Sequence, residues 1–251
     1  MIEAALILFG VVIASAAMAI GIGGGILWTP VLILVYRLSP AEAISTSLFI
    51  QVVGLGSGTF AYARAGLVKI KLSAIFFLVA LPGIIIGSFI TIKLPQHAVQ
   101  MALGIMAMTL AILFVVNNRD SEQGASGDFD SAKIRGIAPI PFVFGFIMGF
   151  LSLGISEWLI PALRSRLRMG MPQAIGTSIG MMFALALVAS IVHFNLSETL
   201  HLEIIALGSI GTLIGGQIGP HISQRINDRI LQQSFIYLMT LIGIHLIFQA
   251  I

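Results

Sequence analysis

From Ile2 to Tyr36 the chain carries one charged residue, Glu3. A membrane-spanning helix needs about 20 apolar residues, so this stretch is too long for a single ordinary span. Gly21-Ile22-Gly23-Gly24-Gly25 and Pro30 interrupt it. Glycine releases the backbone from helical geometry and proline removes an amide donor. The stretch therefore divides into two helical arms, at 3–20 and 26–36. Further apolar segments are expected at 41–62, 72–91, 97–117, 137–153, 157–168, 172–193, 200–221 and 230–250. Hydrophobic residues make up 58% of the 251 and charged residues 9%, against about a quarter charged in soluble domains. So few charges cannot cover a water-facing surface of this size, and lipid takes that place. The expected class is an all-α, polytopic membrane protein.

Composition also excludes. With no cysteine, disulfides and thiolate chemistry are absent. A net charge of +3, dispersed along the chain, does not suit nucleic acid. Glu3 stands where a basic signal-peptide region would be, so the first helix is expected to be retained. No Walker, Rossmann, metalloprotease or Gly-x-Ser-x-Gly motif occurs. Neither a catalytic residue, a metal ligand nor a cofactor is expected.

The two ends of the chain resemble each other. Gly23 through Pro30 matches Gly154 through Pro161 at an offset of 131 residues, and Thr46-Ser47 matches Thr177-Ser178 at the same offset. Pro40 and Pro172 fall within one residue of it. The polar stretch between gives three parts: a first transmembrane repeat at 1–117, a cytoplasmic loop at 118–136 and a second repeat at 137–251. Each repeat is read as a glycine-broken helix hairpin followed by three transmembrane helices. If both hairpins return to their starting face, one side of the membrane holds eleven Lys and Arg and the other only Arg37 and Lys93. The positive-inside rule then places the central loop in the cytoplasm and both termini outside. The halves would have opposite orientations, an arrangement found in secondary transporters.

Candidate site residues cluster at the interruptions. Unwound backbone within a bilayer must line protein or a cavity, and amides at the start of a helix favour an anion. Gly23, Gly24 and Gly25 therefore either bind an anion or permit tight packing. Thr46, Ser47 and Gln51, with counterparts Thr177 and Ser178, either converge on that anion near mid-membrane or serve interhelical hydrogen bonds. Trp28 and Trp158 either wall the cavity or pack. Glu157 carries a coupling proton or shapes the cavity, or else caps the helix it begins. Pro30 and Pro161 are assigned to gating. The five histidines are read as packing or interfacial groups, and Arg164, Arg166 and Arg168 as facing lipid headgroups.

The run Gly21-Ile-Gly-Gly-Gly-Ile-Leu-Trp-Thr-Pro30 with Ala43-Ile-Ser-Thr-Ser-Leu48 resembles the TauE/SafE family of anion exporters. Tyr62-Ala-Arg-Ala-Gly-Leu-Val68, Leu81-Pro-Gly-Ile-Ile-Ile-Gly87, Gly145-Phe-Ile-Met-Gly149 and Ala174-Ile-Gly-Thr-Ser178 extend the resemblance over nearly the whole chain. It implies a permease of the bacterial inner membrane that exports a small anion such as sulfite, sulfoacetate or a related organosulfonate. It points to Gly23, Gly24, Gly25, Pro30, Thr46, Ser47, Thr177 and Ser178 as site positions. The second break departs from the family's glycine-rich run, reading Gly154-Ile-Ser-Glu-Trp158. The expected partners are the small anion and membrane lipid, with proton coupling open through Glu157. The competing readings are an intramembrane enzyme or cofactor-handling assembly protein, and an anion channel.

Overall fold

A computed structural model describes residues 2–21, 23–116, 139–154, 156–196, 200–222 and 228–250. The central loop expected at 118–136 lies outside them. The described residues form α1 (Ile2–Ile20), α2 (Gly25–Leu34), α3 (Pro40–Arg64), α4 (Ile70–Lys93), α5 (Gln96–Val116), α6 (Pro139–Leu151), α7 (Ser156–Leu167), α8 (Met171–Leu196), α9 (Leu202–Ile222) and α10 (Asp228–Ala250). Every apolar segment read from the sequence is a helix, and the two glycine-marked interruptions fall between α1 and α2 and between α6 and α7.

Local chemistry sets several of these ends. Gly21 ends α1 at φ +86°, a conformation that costs a residue with a Cβ about 1–2 kcal/mol. At the start of α3 the Ser39 side chain accepts from the Glu42 amide, Glu42 accepts from the Ser39 amide, and Pro40 follows at the first helical position. This is a capping box with a preset φ. α2 closes with Arg37 at φ +57° and the Leu38 amide donating back to the Leu32 carbonyl; α7 closes with Arg168 at φ +52° and Met169 donating to Leu163. Both are Schellman-type ends with arginine in glycine's usual place. These features, like the left-handed pair Gly21 and Ser152, recur at the 131-residue offset seen in the sequence.

Small residues hold the helices together across the two ends of the chain. α1 lies along α9, where a Cβ on Gly211 would strike the Ile7 carbonyl and one on Gly215 the Val11 carbonyl. α4 lies along α6 in the same way, through Gly83 and Gly87 on one side and Gly145 and Gly149 on the other. In lipid, close backbone approach through small residues replaces the hydrophobic drive available in water.

α3 and α8 form the centre. About 67% of the apolar window of each is buried, against 39% for α4 and 33% for α9. They cross antiparallel, with Ser45 beside His193, Gly56 beside Phe183 and Tyr62 beside Gly176. α9 runs parallel to α3, since Gly208 meets Ile50 and Gly216 meets Gly54. α1 runs parallel to α9, and α2 runs back along α3, with Gly25 against Gln51 and Thr29 bonded to Ser47. The chain thus reverses direction across the first glycine break. α5 and α10 pair with each other through Gly104 and Gly243.

Candidate functional site

The two helix interruptions touch. The Gly23 amide donates to the Gly154 carbonyl at 3.0 Å, and a Cβ on Gly23 would lie 2.6 Å from the Gly154 Cα. Only glycine allows two chain breaks to approach so closely. Gly23 therefore spends its amide on the other break. Gly24 caps α2 without a side chain. A Cβ on Gly25 would fall on the Ser152 carbonyl and the Gln51 carboxamide.

A polar network surrounds this contact. Ser47 Oγ donates to the Ile44 carbonyl at 3.0 Å. A serine hydroxyl has one proton and accepts through two lone pairs. Ser47 therefore accepts from Thr29 Oγ1 at 2.9 Å and from Ser152 Oγ at 2.6 Å. Ser152 Oγ in turn accepts from Gln51 Nε2 at 2.6 Å, and the same nitrogen donates to the Ser152 carbonyl at 3.1 Å. Thr29, Ser47, Gln51 and Ser152 are all essentially buried. Trp28 Nε1, Thr46 Oγ1, Gln51 Oε1 and Ser178 Oγ are buried without a hydrogen-bond partner.

The structure brings Gly23, Gly24, Gly25, Trp28, Ser47 and Gln51 together, with Thr46 on the same stretch of α3. It does not bring Thr177 and Ser178 there. Ser47 and Ser178 lie on opposite sides of the Gly56–Phe183 crossing, about 20 Å apart along the helices at about 1.5 Å per residue. Thr177 has a different task. Its Oγ1 accepts from the Lys69 amide at 3.1 Å, and its carbonyl accepts from Ser73 Oγ at 2.7 Å, tying α8 to the start of α4. The expectation that both Thr-Ser pairs converge on one anion is corrected accordingly. Antiparallel crossing carries equivalent positions to opposite ends. Pro30 is buried within α2, while the side chains of Glu157, Trp158 and Pro161 lie outside the described residues.

Sequence reasoning missed Thr29 and Ser152, and of its two readings for His193, packing or interfacial, the structure shows packing. Ser152 had a readable signal, because it stands 131 residues after Gly21, where the chain must turn left-handed. His193 is 1% exposed rather than interfacial. Its Nε2 donates to the Gly149 carbonyl at 3.0 Å, and its Nδ1 lies 3.2 Å from Ser45 Oγ, so it joins α8 to α6 and α3.

Residues 6–246 match the family described as sulfite exporter TauE/SafE. The chain is 24% identical to the probable membrane transporter protein YunE of Bacillus subtilis, over 98% of this chain and 97% of that protein. It is 25% identical to the probable membrane transporter protein YjnA of the same organism, over 96% and 98%. A probable membrane transporter protein of Xylella fastidiosa is 24% identical over 92% and 89%. No solved structure matches the chain. These relatives set aside the enzyme reading and agree with a multi-pass location in a bacterial membrane. The chain is a membrane transporter, and it belongs to the sulfite exporter TauE/SafE family.

Proposed function

We propose that this transporter exports a small oxyanion, such as sulfite, sulfoacetate or a related organosulfonate, across the inner membrane. The observation that carries the proposal is the meeting of the two interruptions at Gly23 and Gly154, beside a buried polar network and the N-terminus of α2. A helix N-terminus surrounded by low-dielectric protein favours negative charge. Gln51 and the Ser47 network bind the substrate's neighbourhood into one unit. Trp28 offers a further buried donor on α2, and the Thr46 hydroxyl lies one residue before Ser47 on α3.

In this reading the two halves are inverted repeats, and they alternate access by rocking about α3 and α8. The antiparallel crossing of α3 and α8, the exchanged pairings of α1 with α9 and α6 with α4, and the matching backbone ends support it. The Gly23–Gly154 hydrogen bond then joins the halves in the state described. A bond of that kind is worth about 1 kcal/mol net, weak enough to open during a transport cycle. An inside-negative membrane supplies about 2.3 kcal/mol per charge per 100 mV toward anion efflux. The test is efflux from proteoliposomes loaded with sulfite or sulfoacetate. Saturable efflux that Ser47→Ala slows is the expected result. A wild-type protein that moves none of these anions refutes the proposal.

A further inference from the structure

Two polar groups beside the first turn of α2 lack partners, and they are of opposite kind. The Gln51 carboxamide lies against Gly25. Its Nε2 donates to the Ser152 carbonyl and hydroxyl. A carbonyl has no proton to give, so the orientation of the amide is fixed. Gln51 Oε1 is therefore an acceptor, on a side chain 2% exposed, and no donor reaches it. The second group is the Trp28 indole. Its Cδ1 lies 3.7 Å from where a Cβ on Gly24 would be, and Nε1 is bonded to that carbon. Nε1 is donor-only, fully buried and without an acceptor. The three hydroxyls of the network have no proton to spare for Oε1, and the Thr46 hydroxyl does not reach it. Ser47 gives its proton to Ile44, while Thr29 and Ser152 give theirs to Ser47.

A site for a bare anion would be built of donors alone. An uncommitted acceptor at its wall would face the lone pairs of such a ligand and repel them. We propose that the α2 site selects oxyanions carrying a hydrogen-bond donor of their own, with an anion oxygen accepting from Trp28 Nε1 and the ligand's O–H or N–H donating to Gln51 Oε1. The inference rests on the transport reading above. It narrows the substrate class to donor-bearing anions such as bisulfite and hydroxysulfonates, and leaves out sulfoacetate, which has no donor when both its acid groups are ionised. It also changes the role of Gln51, which meets the ligand as an acceptor while its NH₂ holds Ser152.

Counterflow in proteoliposomes tests this with isethionate and ethanesulfonate, two sulfonates that differ by one hydroxyl. Sites built to bond a substrate hydroxyl reject the analogue lacking it strongly, and a wild-type preference of at least about tenfold for isethionate is expected. Gln51→Met keeps the side-chain length and copies Met182, the residue 131 positions on; it is expected to bring the ratio to about one, since the acceptor that reads the hydroxyl is gone. Trp28→Phe is expected to slow both compounds and preserve the ratio. Equal wild-type rates, or a preference that survives Gln51→Met, overturn the inference while leaving the transport reading intact. A wild-type protein that moves neither sulfonate nor sulfite overturns the transport reading and this inference with it. The wild-type ratio decides even where a variant does not fold.

Discussion

Ser47 is the residue on which the polar network turns. It accepts two hydrogen bonds and donates one within the buried centre of the protein. Ser47→Ala leaves Thr29 and Ser152 with buried donors and nothing to receive them, a loss of about 1–3 kcal/mol. The expected outcome is a lowered melting temperature in detergent together with slower efflux. Ser152 raises a second question, because it holds φ +60° without being glycine. Both Ser152→Gly and Ser152→Ala remove the hydroxyl, but only glycine relieves the left-handed strain. Ser152→Gly is expected to be the more stable by about 1 kcal/mol, read from paired thermal melts. Gly23→Ala is a different case. Its new Cβ meets Gly154 backbone, which cannot swing aside as a side chain can, and loss of transport activity is expected. Of these residues, Gly23 and Ser47 were legible from the glycine run and the polar cluster. For Ser152 the repeat offset marked only the turn; its place in the network was hidden because its partners Ser47 and Gln51 lie 105 and 101 residues away.

At the scale of elements, the hydropathy pattern located the helices because lipid imposes it segment by segment. Even ends were readable where a cap is local, as at Ser39, Pro40 and Glu42. Helix partners were not. α4 and α6 fit only because Gly83, Gly87, Gly145 and Gly149 let backbone meet backbone. Gly149→Val would drive a branched side chain into the Ile84 carbonyl, and is expected to reduce the yield of folded protein in size-exclusion chromatography. Gly170→Ala is the control, since a Cβ there meets nothing within 4 Å. It should elute and melt as the wild type does.

For the whole molecule, the central relation is the antiparallel crossing of α3 and α8. It holds Ser45 near His193 at one end and Tyr62 near Gly176 at the other. If transport rocks one half against the other, fixing this crossing must stop it. The chain has no cysteine of its own, so a Gly56→Cys, Phe183→Cys pair can be cross-linked without background. Efflux should fall on cross-linking and return with reductant. Orientation can be read separately. With the basic face in the cytoplasm, Ala65→Cys should resist a membrane-impermeant thiol reagent in intact cells, while Leu94→Cys should react.

The sequence alone determined that this chain lives in lipid, where its helices lie, that two glycine-marked interruptions divide them, and which family pattern they form. Those properties are set by neighbouring residues, through hydropathy, backbone freedom and local capping. Only the tertiary structure decided that the interruptions touch, that Ser152 completes the network around Ser47 and Gln51, and that Thr177 and Ser178 stand at the far end of the central helix pair. The charge pattern and the repeat implied that the halves run in opposite orientations. Which residues meet depends instead on which helix faces pack together, and spacing along one chain carries no record of those faces.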